Sequence, residues 1–187
     1  MYTVDMRIIG EDGKLLPHDG KAFGELQVKG HAIIDGYHED EEASVAAMTE
    51  DGWLKTGDVA RITPEGFMML VDRTKDLIKS GGEWISSIDL ENAAQGHPSI
   101  MECAVISAYH PQWGERPLLI AVTENDVTLN LDDIHEYLND KVAKWWLPDD
   151  VVFVEELPHT ATGKISKMTL REQFKDYKFE HLSLIHI

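Results

Sequence analysis

Asp72-Arg73-Thr74-Lys75-Asp76 marks the point where the pattern of the chain changes. A run of polar residues, most of them charged, gains little from burial and suits a boundary or hinge between two folded regions. On its N-terminal side the pattern is that of short strands and turns. Gly24-Glu25-Leu26-Gln27-Val28-Lys29-Gly30 alternates polar and apolar as a half-buried strand does, and Met6-Arg7-Ile8-Ile9 reads as another. Val59-Ala60-Arg61-Ile62 and Phe67-Met68-Met69-Leu70-Val71 flank Thr63-Pro64-Glu65-Gly66 and predict a hairpin, while Asp40 to Met48 suits a short helix. On the C-terminal side the pattern is mixed. Leu90, Ala93, Ala94 and His97 recur at helical spacing after Ser86-Ser87, and Asn130 is placed to cap a helix with Leu131, Ile134, Leu138 and Val142 on one face. Strands are expected at 102–107, 117–123 and Val151 to Val154, and Leu170, Phe174 and Tyr177 mark a last short helix.

The expected fold class is therefore α/β (α+β), in two parts. Residues 1–72 form a β-rich region with a thin core, marginal by itself at that size and expected to be the end of a larger domain truncated on its N-terminal side. Residues 73–178 form a small mixed α/β domain, and residues 179–187 an apolar tail without an obvious partner.

Composition narrows the classes. The 187 residues are 43% hydrophobic and 27% charged, as in a folded soluble protein. No apolar run approaches the roughly 20 residues of a membrane helix, and Met1 to Met6 does not resemble a secretory signal, so a cytoplasmic location is expected. The single cysteine, Cys103, lies in an apolar run and reads as a buried, inert thiol. The net charge of −17 argues against nucleic acid and anionic lipid as partners. Any anion site has to gather the few basic residues locally; otherwise the acidity serves solubility alone.

Four clusters carry candidate chemistry. In Gly52-Trp53-Leu54-Lys55-Thr56-Gly57-Asp58, Gly57 permits a tight turn and Asp58 is expected to project a carboxylate from the start of a strand. A carboxylate accepts two hydrogen bonds at once and suits a vicinal diol, although a plain turn aspartate would read the same. In the boundary stretch, Arg73 offers a planar fork for hydroxyl or phosphate oxygens. In Lys79-Ser80-Gly81-Gly82-Glu83-Trp84-Ile85-Ser86, two glycines allow close approach of backbone to a ligand, or simply make a flexible loop. The fourth cluster is Leu157-Pro158-His159-Thr160-Ala161-Thr162-Gly163-Lys164-Ile165. It is no P-loop: Pro158 stands where the first glycine belongs and Ile165 where Ser or Thr would bind magnesium. What is left is a lysine on a mobile loop, a compact cation able to sit between a carboxylate and a phosphate.

In this order and spacing the four clusters resemble the adenylate-forming acyl-CoA synthetases, the superfamily that also contains luciferases and peptide-synthetase adenylation domains. The resemblance runs from about residue 4 to 178. Ser80 to Asn92 and Lys144-Trp145-Trp146-Leu147-Pro148-Asp149-Asp150 are most similar to bacterial medium- and long-chain fatty-acid–CoA ligases and methylmercaptopropionate–CoA ligases.

The resemblance implies a reaction in two halves. A carboxylate attacks ATP to give acyl-adenylate and diphosphate, and CoA then displaces AMP, with the small domain presenting a different face each time. It implies that Asp58 and Arg73 hold the ribose and that Lys75 is the hinge. Lys164 is then the catalytic and nucleotide-binding lysine of the first half. Lys79, Gly81, Gly82, Glu83 and Trp84 belong to the CoA/pantetheine loop of the second. ATP, CoA and a carboxylic acid are the implied partners, with Mg2+ accompanying ATP on ligands not found in this chain. Arg73, Lys75, Lys79, Lys164, Lys167 and Arg171 are the basic residues expected where anions sit. The phosphate loop and most of the acyl pocket belong to the missing N-terminal part, so the chain alone is expected to be inactive. A non-catalytic module binding nucleotide or CoA is the alternative from another class.

Overall fold

The computed structural model describes residues 4–124, 127 and 129–179. The chain divides into two compact units, Met1–Lys75 and Asp76–Ile187.

The first unit is a four-stranded antiparallel sheet in the order β1 (Asp5–Ile9), β2 (Phe23–Lys29), β3 (Leu54–Ile62) and β4 (Met68–Arg73). Its core is small: Ile8, Leu26, Ala60 and Ile62 are buried, with Met6, Leu16 and Val28 packed against them. The thin core read from the sequence is present. The helix α1 (Glu41–Ala47) starts at Asp40, whose side chain accepts from the Ala43 amide, and it buries none of its residues. Thr63 and Gly66 close the β3–β4 hairpin, with Thr63 N bonded to Phe67 O and Gly66 N to Thr63 O.

The second unit is a five-stranded sheet with helices on both faces. A short hairpin of β5 (Ile78–Ser80) and β6 (Glu83–Ile85) leads into α2 (Ser87–Gln95). A long antiparallel pair, β7 (Ile100–His110) and β8 (Gly114–Thr123), forms the centre. After α3 (Leu131–Leu138) and a turn of 3-10 helix at Lys144–Trp146, β9 (Asp150–Phe153) pairs parallel to β8, and α4 (Lys167–Gln173) follows. β7 and β8 are buried on both faces, which explains their continuous apolar runs. Cys103, Val105, Leu119 and Ala121 face α2 and α3 with Leu90, Ala94, Ile134 and Leu138. Ala104, Ile106, Leu118 and Ile120 face the other way, toward Leu157 and Leu170.

The expected helix signals act as read. Ser86 caps α2 by accepting from the Asp89 amide, and Asn130 with Asp133 forms a reciprocal capping box on α3. The helices are shorter than their periodicity suggests. His97, Val142 and Tyr177 lie past the helix ends, although Val142 and Tyr177 still pack on the core. β7 and β8 extend beyond 102–107 and 117–123 because pairing continues to His110 and Gly114. Phe179, grouped with the tail in the sequence, is buried against the sheet; residues 180–187 lie outside the described residues. Among the described residues no helix is long and apolar enough to cross a membrane.

Candidate active site

Asp58 is not at the start of a strand as the sequence suggested; it is the middle residue of β3. Glu25 pairs with Val59 and Gln27 with Lys55, so Thr56, Gly57 and Asp58 lie opposite Leu26 alone. Gly57 takes φ +74° to make this bulge, not a turn, as glycine can at little steric cost. Thr56 holds the bulge: its hydroxyl donates to Leu26 O at 3.0 Å and accepts from Asp58 N at 3.1 Å. The bulge aims Asp58 at Arg73, its partner across the β3–β4 pair, with Arg73 Nε 3.4 Å from Asp58 Oδ1. Both side chains keep solvent access, at 57% for Arg73 and 30% for Asp58. The neighbouring Asp72 is buried instead and accepts from the Arg73 amide at 2.7 Å. The exposed Lys75 is the last residue of the first unit.

In the second unit the Gly-Gly cluster is a tight hairpin, not a flexible loop. Ser80 pairs with Glu83, and Gly81 and Gly82 between them take φ +60° and +86°, the pattern of a two-residue turn with both central residues left-handed. The turn is held from one side. Gly81 N donates to Trp113 O at 2.8 Å, and a Cβ on Gly81 would meet Trp113 Cε3 at 2.8 Å. Lys79 N donates to Glu115 Oε2 at 2.8 Å. A Cβ on Gly82 would meet nothing within 4 Å, so the turn is open on that side. Lys79 and Glu83 are exposed and Trp84 is partly buried.

The Lys164 segment is also ordered. Thr160 N donates to Lys164 O at 2.7 Å, Gly163 N to Thr160 O at 2.9 Å and Ser166 N to Pro158 O at 2.7 Å. Lys164 N donates to Thr160 Oγ1 at 3.2 Å, and Gly163 takes φ +79° to close the turn. These bonds close the segment into a turn. The Lys164 side chain is exposed, and among the described residues its ammonium has no hydrogen-bond or ion-pair partner. The result is a cation on a fixed stem, available to an anion.

Two of the basic residues expected where anions sit are paired inside the second unit. Lys167 Nζ is 2.7 Å from Glu91 Oε1, and Arg171 pairs with Asp76. A residue the sequence did not single out, Arg116, gathers the hairpin and the Lys144–Asp149 segment. It donates to Asp149 Oδ1 at 2.7 Å, Trp145 O at 2.8 Å, Leu147 O at 3.0 Å and Ser80 Oγ at 3.2 Å. Its partners lie 29 to 36 positions away, so no local spacing announces it. Among the described residues no three His, Cys, Asp or Glu side chains gather to hold a metal ion.

Residues 89–164 match the family described as AMP-binding enzyme C-terminal domain. That segment is an AMP-binding enzyme C-terminal domain. The chain is 49% identical, over 94% of its length, to a 3-methylmercaptopropionyl-CoA ligase of Ruegeria pomeroyi. It is likewise 49% identical, over 93% of its length, to a long-chain-fatty-acid–CoA ligase of Thermus thermophilus. It spans 32% of the length of each of these two ligases. Among solved structures it resembles ATP-bound MatB of Rhodopseudomonas palustris, with a TM-score of 0.80 and 32% identity over 94% of this chain and 35% of that one.

Proposed function

We propose that this chain works as the C-terminal part of an ATP-dependent fatty-acid–CoA ligase. The observation that carries the proposal is its match, at equal identity and over nearly all of this chain though only 32% of each relative, to two ligases named for different acids but for the same bond to CoA. The geometry fits that chemistry. Asp58 and Arg73 present a carboxylate and a guanidinium side by side, a pair able to take both hydroxyls of a ribose. Lys164 orients the attacking carboxylate against the α-phosphate and offsets the negative charge that builds there. The carboxylate oxygen forms the new bond to phosphorus, and the bond to the leaving diphosphate breaks. In the second half the Gly81-Gly82 turn, open on the side of Gly82, admits the pantetheine arm. The thiol sulfur then attacks the acyl carbon and AMP leaves. Lys75, at the end of the first unit, is the hinge between these halves.

The acid is a fatty acid in this reading, with 3-methylmercaptopropionate second, because that ligase is matched equally well. The test is substrate profiling of the complete enzyme with ATP, Mg2+, CoA and a panel holding medium- and long-chain fatty acids and 3-methylmercaptopropionate. Acyl-CoA and AMP should appear together. Failure to form acyl-CoA with any carboxylic acid overturns the proposal; turnover of the thioether acid alone corrects the substrate.

A further inference from the structure

We infer that Asp76 and Glu91 are positioning residues for Lys164, acting through helix α4; this rests on the ligase reading above. Lys164 has no partner for its ammonium among the described residues, so its place is set by the backbone of residues 158–166. That backbone closes on Ser166, whose side chain caps α4 by accepting from Thr169 N. The helix has seven residues, of which only Leu170 is buried. Beyond Leu170, packing is confined to the ends of the helix, where Ile165 and Phe174 lie against the same core, and a helix this short gains little stability by itself.

Two ion pairs supply what packing does not. Lys167 and Arg171 stand four residues apart, on one face of α4. Lys167 Nζ lies 2.7 Å from Glu91 Oε1 and donates to Ser87 Oγ at 2.7 Å. Glu91 Oε1 also accepts from Val105 N at 2.7 Å, so the carboxylate is held by β7 as well. Arg171 Nη1 pairs with Asp76 Oδ1. None of these four charged side chains is more than 27% exposed, so salt screens them less than it does surface pairs. A buried pair is weak evidence for stability, since apolar groups would serve as well. Its hydrogen bonds are directional, and direction is what a lysine on a short stem needs.

The placement of the anchors matters. Asp76 precedes β5, and Glu91 lies in α2, just after β6. The helix that begins at the Lys164 turn is therefore tied on both sides of the hairpin that carries Gly81 and Gly82. The two ion pairs thereby link the Lys164 turn to the chain on either side of that hairpin. Asp76 is also the first residue of the second unit, so its tie to Arg171 leaves any swivel to Lys75 and the residues before it.

Hydrogen exchange on the 187-residue chain reads the brace without any catalysis. R171Q and, separately, D76N should speed exchange at the Thr160, Gly163 and Ser166 amides by about tenfold, with the β7–β8 pair unchanged. E91Q serves as a third variant should either of these fail to fold. Unchanged exchange at those three amides overturns the inference. In the complete enzyme R171Q should slow ATP–pyrophosphate exchange by about tenfold. Thioester formation from preformed acyl-adenylate should stay within about twofold. The paired D76R/R171D change should recover adenylation. Equal losses in both halves, or no recovery, overturn the positioning role. An unsubstituted enzyme that makes no acyl-adenylate overturns the ligase reading instead, while the exchange result stands by itself.

Discussion

Arg73 and Asp58 are direct cross-strand partners on β3 and β4, with Nε and Oδ1 3.4 Å apart at the end of a bulge that Gly57 makes possible. A half-exposed pair of this kind adds less than about 1 kcal/mol to stability. Asp58→Asn should therefore leave the unfolding midpoint of the chain almost unchanged. In the complete enzyme the same change should weaken ATP binding about 10- to 100-fold, the worth of one charge-assisted hydrogen bond. Denaturant melts and ATP titration of the two proteins check this. A large loss of stability with unchanged ATP affinity would make Asp58 structural.

Lys164 stands on a closed turn, and its ammonium makes no hydrogen bond or ion pair among the described residues. Lys164→Ala should leave the melting temperature within a degree or so, since surface changes cost little. In the complete enzyme adenylation should fall by about 10²–10³, while thioester formation from preformed acyl-adenylate is spared. Pyrophosphate exchange and single-turnover thioester formation separate the two halves.

Gly81 and Gly82 are both left-handed but have different neighbours. Gly82→Ala should cost about 1–2 kcal/mol, the penalty of that conformation for an L side chain. Gly81→Ala should cost more, because Trp113 Cε3 lies 2.8 Å from the added Cβ. Urea denaturation gives the order, and Trp113 fluorescence should shift only in the Gly81 variant. Equal costs would mean that Trp113 yields freely.

Burial pushes the Cys103 thiol up to about 12, with the Glu91 carboxylate adding to the shift. The fold favours the neutral thiol. This contribution to stability is complete below the ordinary value of 9.0 and is lost as pH rises through the folded value. At about pH 8 the folded chain holds roughly a thousandfold less thiolate than a free cysteine. Thiol-reagent kinetics should show almost no reaction in the native chain and full reaction in urea. Rapid native labelling would contradict the buried placement.

Asp51 is tied by the hydrogen bonds of the Arg7 guanidinium, then of Thr49, and its carboxyl is held well below its usual 3.8. A depressed acid stabilises the fold above pH 3.8, and the contribution is lost as pH falls through the folded value. Arg7→Ala should raise the Asp51 pKa toward the ordinary value. Carboxyl NMR titration of both proteins reads this directly.

Much of the site was legible because its parts are local. The Ser86 cap and the Asn130 capping box each act within a few residues of themselves. Where a feature was misread, a partner outside the motif was the reason. Gly57 looks like a turn glycine until Leu26 is placed opposite it. The loops at Gly81 and Lys164 look mobile until Trp113 and Pro158 close them. Arg116 could not be singled out, because Ser80, Trp145, Leu147 and Asp149 come to it only when the sheet forms.

The sequence by itself determined the change from a β-rich to a mixed region, the identity of most helices and strands, and the family, since periodicity, caps and motif spacing are written along the chain. Only the tertiary structure decided which charges are free. Lys164, Lys167 and Arg171 lie within eight positions and look alike as sequence. Lys167 and Arg171 meet the partly buried carboxylates of Glu91 and Asp76, far off in the chain, and among the described residues Lys164 meets none. Charge availability depends on distance in space, and chain spacing does not record it.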